Sequence, residues 1–246
     1  MDEEETTEEV QKETGLFKQV LRGRIAGERE LVESSGLSPQ MAVLRQWQVG
    51  RLAQTHDDLL RSKRYGRACQ FFLSDIYGAK DFSQRDTDAE NVYRTMRKYL
   101  PERLLTTMGK TIQLNQITQQ LDSHLLDVLV NQLGMTDTLT AEMYAPAYRL
   151  CDNYETRQKQ LVMVLDVGRG VDNLTRIPMI GMVLRAARHP ATRSGWSELQ
   201  DFMERGFAAF KEMRGADQFL AIVEQRERQI LDQIFANAPH PFSIAN

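Results

Sequence analysis

The sequence of 246 residues contains few of the residues on which several protein classes depend. Its two cysteines are too few for a disulfide-stapled secreted scaffold or a four-thiolate zinc site. Seven prolines and 15 glycines exclude collagen-like and Pro-rich low-complexity chains. No apolar run approaches the roughly 20 residues that span a bilayer. The 41% hydrophobic and 26% charged content that remains is typical of a folded globular chain.

Sequence motifs for common catalytic and metal centres are also missing. The chain has no P-loop, no dinucleotide-binding glycine pattern, no Cys-x-x-Cys, no His-Glu-x-x-His and no Gly-x-Ser-x-Gly. A di-iron bundle needs paired Glu-x-x-His motifs, and none occurs among the four histidines. We therefore predict no catalytic residue and no metal site, and the sequence favours a role other than catalysis.

Charge is distributed unevenly along the chain. The net charge is −3, but the first 13 residues carry seven acids against one lysine, which leaves a body near +3. Such a start lacks the basic and apolar regions of a secretory signal, so we expect a cytoplasmic protein with reduced Cys69 and Cys151. We predict an acidic, disordered tail over 1–14, a helical domain over 15–237 and a loose C-terminal tail over 238–246.

Apolar side chains recur at helical spacing nearly throughout the chain, and no alternating Val/Ile/Thr-rich run predicts a strand. Ser38 and Pro39 are typical of a helix start, and we predict a helix from there to about Ser62. Gly134 is typical of a helix end. Ser197 and Gln200 have the spacing of a capping box. The pattern predicts an all-α protein with a single bundle-like domain of about eight or nine helices, possibly two-lobed.

Two segments resemble a known family. They are RYGRACQFFLSDIYGAKDFSQRD at 64–86 and LQDFMERGFAAFKEMRGADQFL at 199–220. Together they resemble a family of uncharacterised bacterial proteins with an FFL-x-x-x-YG-x-x-DFS-x-RD segment. The resemblance implies an all-helical cytoplasmic protein, and it implies no activity.

The loop that follows Tyr77 contains aromatic residues among charges of both signs. Tyr77, Asp81 and Arg85 are candidate residues for binding a ligand or partner, since loops carry function disproportionately. The alternative is a tight corner between helices in which the charges are internally paired. The corner is the favoured interpretation.

His56 is a further candidate for ligand binding because it lies on an apolar stripe between Leu52 and Leu59. A buried histidine there could be a haem ligand or a general base. It could equally be a core residue hydrogen-bonded to a neighbouring helix, which is the favoured interpretation. Glu227 lies in line with Val223 and Leu231, and it could pair with an arginine or histidine of another helix.

Two local arginine runs are candidate anion-binding sites because guanidinium groups bind phosphate and carboxylate bidentately. Their alternative is a solvated helix face. The candidate residues are Arg61, Arg64 and Arg67 in the first run, and Arg185 and Arg188 in the second.

The leading functional hypothesis is a non-catalytic binding or interaction module with a protein or small-molecule partner. The alternative is a helical bundle that binds a hydrophobic or tetrapyrrole ligand and resembles an oxygenase, with His56 as the axial ligand. The third is anion or nucleic-acid binding through the arginines, with nucleic acid disfavoured by the net charge. No cofactor is predicted, haem being the alternative. A homo-oligomer is left open.

Overall fold

A computed structural model describes residues 38–77 and 89–244 of the chain, and the regular secondary structure of these residues is entirely helical, with no strand. They form ten α-helices, and a π-helical turn at Phe72–Tyr77 follows the third. The helices are α1 (Pro39–Thr55), α2 (Asp57–Arg61), α3 (Gly66–Phe71), α4 (Ala89–Tyr99), α5 (Glu102–Asn131), α6 (Ala141–Leu150), α7 (Tyr154–Thr175), α8 (Ile180–Arg193), α9 (Ser197–Met213) and α10 (Asp217–Phe235).

The all-α prediction is confirmed, and the helix count of eight or nine is corrected to ten within these ranges. One reason is a break in the segment that was predicted as one helix to about Ser62. His56 leaves helical geometry with φ −116° and ψ 26°, so α1 ends before it and α2 begins after it. None of the described helices combines the length and the apolar character that crossing a membrane would require.

The predicted helix start at Ser38 and Pro39 and the predicted helix end at Gly134 are both found in the structure. The Ser38 hydroxyl accepts a hydrogen bond from the Met41 amide at 3.2 Å, and Pro39 is the first residue of α1. Gly134 has a φ of +68° just beyond α5, a conformation that glycine adopts without strain.

The described chain divides into two compact units. The first unit consists of 89–113 and 167–215, and the second consists of 38–77, 114–166 and 216–244. The long helices α5 and α7 contribute residues to both.

The first unit is built around α8 and α9. Its fully buried side chains include Leu184, Trp196 and Phe210. The capping box predicted at Ser197 is wrong, because Trp196 occupies the N-cap position and makes no side-chain cap bond. The buried Gln200 amide donates instead to the Leu184 carbonyl at 2.6 Å, which ties α9 to α8.

The second unit has an aromatic cluster beside its aliphatic core. Trp47 stacks on Tyr144 with ring centroids 4.0 Å apart, and Phe242 meets the edge of Trp47 at 5.4 Å. Leu125 and Leu129 of α5 are fully buried in the adjoining core. Phe242 belongs to the segment predicted to be loose, and its ring packs against α1 and α6.

Candidate functional site

A cluster of polar side chains surrounds a cavity inside the second unit. Five helices supply them, and residues three or four positions apart on each helix share a face. The charged and phenolic members are Arg51 from α1, Asp122 from α5, Tyr144 and Tyr148 from α6, Arg157 from α7 and Glu227 from α10.

Glu227 is paired with two cationic or hydrogen-bonding groups from the first part of the chain. Its Oε2 lies 2.6 Å from the Arg51 guanidinium, and its Oε1 lies 2.9 Å from His56 Nε2. Burial alone would raise the pKa of Glu227, but Arg51 and His56 outweigh it and lower that pKa from 4.5 to about 2. The carboxylate is therefore ionised throughout the neutral range.

His56 is buried, with 3% of its surface exposed. Its position follows from the break between α1 and α2, which turns the imidazole toward α10. Its Nδ1 is buried and has no hydrogen-bond partner. His56 is therefore a core residue that is hydrogen-bonded to a neighbouring helix. This is the interpretation that the sequence analysis favoured.

Arg157 is a second buried guanidinium of the cluster, with 5% of the residue exposed. Its Nη2 donates to the Leu121 carbonyl at 3.3 Å, and its Nη1 lies 3.4 Å from the Gln160 side-chain oxygen. The guanidinium carbon lies 4.3 Å from the centroid of the Tyr148 ring. Its Nε is buried without a hydrogen-bond partner.

Burial changes the pKa values of Asp122 and of the two tyrosines in the cluster. Burial raises the pKa of Asp122, while the hydrogen bond from the Gln48 amide at 3.0 Å and the charge of Arg157 act in the opposite direction. Burial also raises the pKa of Tyr144 and that of Tyr148. Both phenols therefore stay protonated at neutral pH and can donate hydrogen bonds.

The cavity has a volume of about 60 Å³. Liquid water occupies about 30 Å³ per molecule, so this space fits a ligand of a few non-hydrogen atoms. A separate apolar cavity of about 20 Å³ lies beside His56 and Cys69. Burial raises the pKa of the Cys69 thiol to about 11, which keeps this thiol unreactive at neutral pH.

The predicted binding residues of the loop after Tyr77 are not among the described side chains. Asp81 and Arg85 lie outside the described residues, and so does the side chain of Tyr77. Within 38–77 and 89–244, no group of three or more His, Cys, Asp or Glu residues could hold a metal ion.

The two arginine runs fall in different units and engage protein groups. In the second unit, Arg61 pairs with Asp57 at 3.0 Å, and the Arg64 guanidinium lies 5.0 Å from the Tyr65 ring centroid. Arg67 is exposed on α3 of the same unit. In the first unit, Nε and Nη2 of Arg188 donate hydrogen bonds to the Glu204 carboxylate, and Arg185 is an exposed residue of α8. The Glu204 carboxylate therefore occupies the fork with which Arg188 would bind an external anion.

The sequence interpretation missed Arg51, Asp122 and Arg157. A signal for two of them is present in the helical phase. Arg157 precedes the buried Leu161 and Val164 by four and seven residues, and Asp122 precedes Leu125 by three. A single charge in phase with an apolar stripe indicates a charged side chain on the face of the helix that is directed toward the core.

The comparisons with known proteins identify a family and give no function. A family model described as a domain of unknown function (DUF8198) matches residues 28–241. No curated protein matches the chain, and no solved structure does.

Proposed function

The chain belongs to the DUF8198 family, and we propose that it is a non-catalytic binding protein whose second unit holds a small polar ligand. The observation that supports this proposal is the polar cavity between α1, α5, α6, α7 and α10. Two guanidinium groups, two carboxyl groups and two phenols face one space large enough for a small molecule. Most pockets that bind ligands combine an apolar wall with a few such convergent polar groups.

The energetic cost of this arrangement supports the same proposal. Burying a charged group without full pairing destabilises a fold, and an apolar core of the same volume is often more stable. Helix α7 nevertheless directs Arg157 inward, where its Nε has no hydrogen-bond partner. A ligand that completes the hydrogen bonds would offset part of this cost.

A tetrapyrrole ligand has no support from the geometry around His56. His56 Nε2 is engaged by Glu227, and the cavity beside it measures about 20 Å³. Pockets for drug-sized ligands measure about 300–1,000 Å³. The proposal therefore concerns the polar cavity and includes no cofactor.

The proposal includes a reducing, cytoplasmic environment. Cys69 and Cys151 are both buried and both free thiols. Burial raises the pKa of each thiol, so neither is poised for redox chemistry.

The test is a binding screen of the full chain against small polar compounds of anionic, neutral and cationic type, read by thermal shift and confirmed by calorimetry. Thr118 lines the cavity, and its hydroxyl accepts a hydrogen bond from Gln160 at 2.8 Å. Thr118→Leu should fill the cavity and abolish binding of any hit. The control Thr136→Leu changes an exposed residue and should leave binding unchanged.

Two results would contradict the proposal. One is a failed binding test, in which either no compound binds or the hits bind Thr118→Leu as tightly as they bind the wild type. The other is chemical conversion of a bound compound by the wild-type protein, because a binding protein returns its ligand intact.

A further inference from the structure

Arg157 differs from Arg51, Arg188 and Arg226 in what its guanidinium contacts. Arg226 donates to both carboxylate oxygens of Asp58 at 2.6 and 2.9 Å, and Arg51 and Arg188 are similarly bound by glutamates. In the described part of the chain, no carboxylate lies within 4 Å of Arg157. Its partners are a carbonyl, an amide oxygen and an aromatic ring.

The hydrogen-bonding capacity of Arg157 is also incompletely used. A guanidinium has five N–H donors. Two donate over 3.3 and 3.4 Å, which is longer than usual, and the buried Nε has no partner. A guanidinium that is nineteen-twentieths buried and borders a cavity can donate to a further acceptor there, and a negatively charged acceptor forms the strongest such bonds.

The carboxylates of the cluster are committed elsewhere. Glu227 is held by Arg51 and His56. Asp122 Oδ1 accepts from the Gln48 amide. The charge of Asp122 acts on Arg157, but neither carboxylate forms an ion pair with this guanidinium, so a ligand anion would have no protein carboxylate to displace from it.

We infer that the cavity of the second unit binds a small monocarboxylate anion whose oxygens accept hydrogen bonds from Arg157. The inference rests on the proposed function and specifies the ligand of that same cavity. A carboxylate of three or four non-hydrogen atoms matches the volume of about 60 Å³. It also matches the planar guanidinium fork, which binds two oxygens at once.

The remaining walls suit the two ends of such a ligand. Tyr144 and Tyr148 carry protonated hydroxyls that can donate to a carboxylate oxygen. Leu52, Leu161 and Leu231 form the apolar part of the lining, which suits a hydrogen or methyl substituent. A cation of the same size would instead meet the positive charge of Arg157.

The experiment is calorimetric titration of the full chain with sodium formate and sodium acetate at constant ionic strength. Acetamide, methylammonium and chloride are the neutral, cationic and non-carboxylate probes. We expect one acetate or formate per chain, and much weaker binding of the other three probes.

Variants localise the binding to Arg157. Arg157→Lys keeps the charge and loses the fork, and we expect it to weaken acetate binding about 10- to 100-fold. Arg226→Lys is the matched control, because Asp58 occupies that guanidinium, and it should leave the affinity unchanged. Asp122→Asn removes a competing negative charge, so it should bind acetate at least as tightly as the wild type.

The outcomes separate this inference from the proposed function. If acetamide or methylammonium binds in the cavity and the carboxylates do not, the carboxylate inference is wrong and the binding function stands. If chloride competes equally with acetate, the site holds an adventitious ion only and the inference fails. If no probe binds and the wider screen is also empty, both proposals are wrong. Should Arg157→Lys not fold, the wild-type probe series and the Asp122→Asn variant still test the inference. Weaker acetate binding by Asp122→Asn than by the wild type would contradict it.

Discussion

The ion pair between Glu227 and Arg51 offers a quantitative test of how the second unit is stabilised. The folded chain lowers the pKa of Glu227 from 4.5 to about 2. A shift of one pKa unit corresponds to about 1.4 kcal/mol, so the ionised carboxylate contributes about 3 kcal/mol at neutral pH. Glu227→Gln should lower the free energy of unfolding by about that amount, because glutamine resembles the protonated acid and leaves Arg51 without its carboxylate.

The pH dependence gives the sign of the effect. Since the folded pKa is below the unfolded one, the stabilisation is complete above pH 4.5 and is lost as the pH falls toward 2. The difference between wild type and Glu227→Gln should therefore shrink from about 3 kcal/mol at pH 7 to about 1 kcal/mol at pH 3. Urea unfolding followed by far-UV circular dichroism at pH 7, 5, 4 and 3 measures this difference directly.

A second glutamate on the same helix supplies the control. Glu224 pairs with Arg228 at 3.0 Å on the surface, where both side chains are more than a third exposed. Glu224→Gln should cost less than about 0.5 kcal/mol at every pH, because solvent screens the pair. The reasoning is refuted if the two variants lose similar stability, or if the Glu227→Gln difference is the same at pH 3 as at pH 7.

Three further predictions concern the fold. Gly50→Ala should stabilise α1 by about 1 kcal/mol, because a Cβ there meets nothing within 4 Å, and a lower urea midpoint would contradict this. Gly66→Ala should instead destabilise by about 1–3 kcal/mol in the same assay, because its Cβ would lie 2.6 Å from the Leu60 carbonyl oxygen; an unchanged midpoint would count against that contact. Cys69 and Cys151 should react with a thiol reagent at pH 8 only in denaturant, and rapid labelling of the native protein would show that they are accessible.

The local signals for helices could be read from the sequence because they depend on neighbouring residues. Ser38 and Pro39 start α1, and Gly134 has its positive φ beyond α5, since capping is decided within one turn of chain. The predicted capping box at Ser197 failed for a non-local reason. The Gln200 side chain reached the Leu184 carbonyl of another helix instead of its own N-terminus.

The candidate site was less accessible to sequence reasoning. The sequence indicated that Glu227 could pair with an arginine or histidine, and the structure pairs it with one of each. The identities of Arg51 and His56 could not be predicted, because more than 170 residues separate them from Glu227. The cavity depends on five helices meeting at one place. Helical periodicity predicts which face of each helix is buried, but it does not predict which other helix packs against that face.

Glu227 and Arg157 show two different ways in which one fold accommodates a buried charge. Glu227 is ionised because Arg51 and His56 oppose the cost of burial, so its charge stabilises the folded chain through groups of the protein alone. Arg157 is buried and donates only to neutral acceptors at 3.3 and 3.4 Å, so an anion in the cavity would add the charged hydrogen bonds that this guanidinium does not make within the protein. An anion bound at Arg157 stabilises only the folded state, and by mass action the unfolding temperature rises with its concentration. The buried guanidinium of Arg157 is in this way the group through which a carboxylate would stabilise the fold.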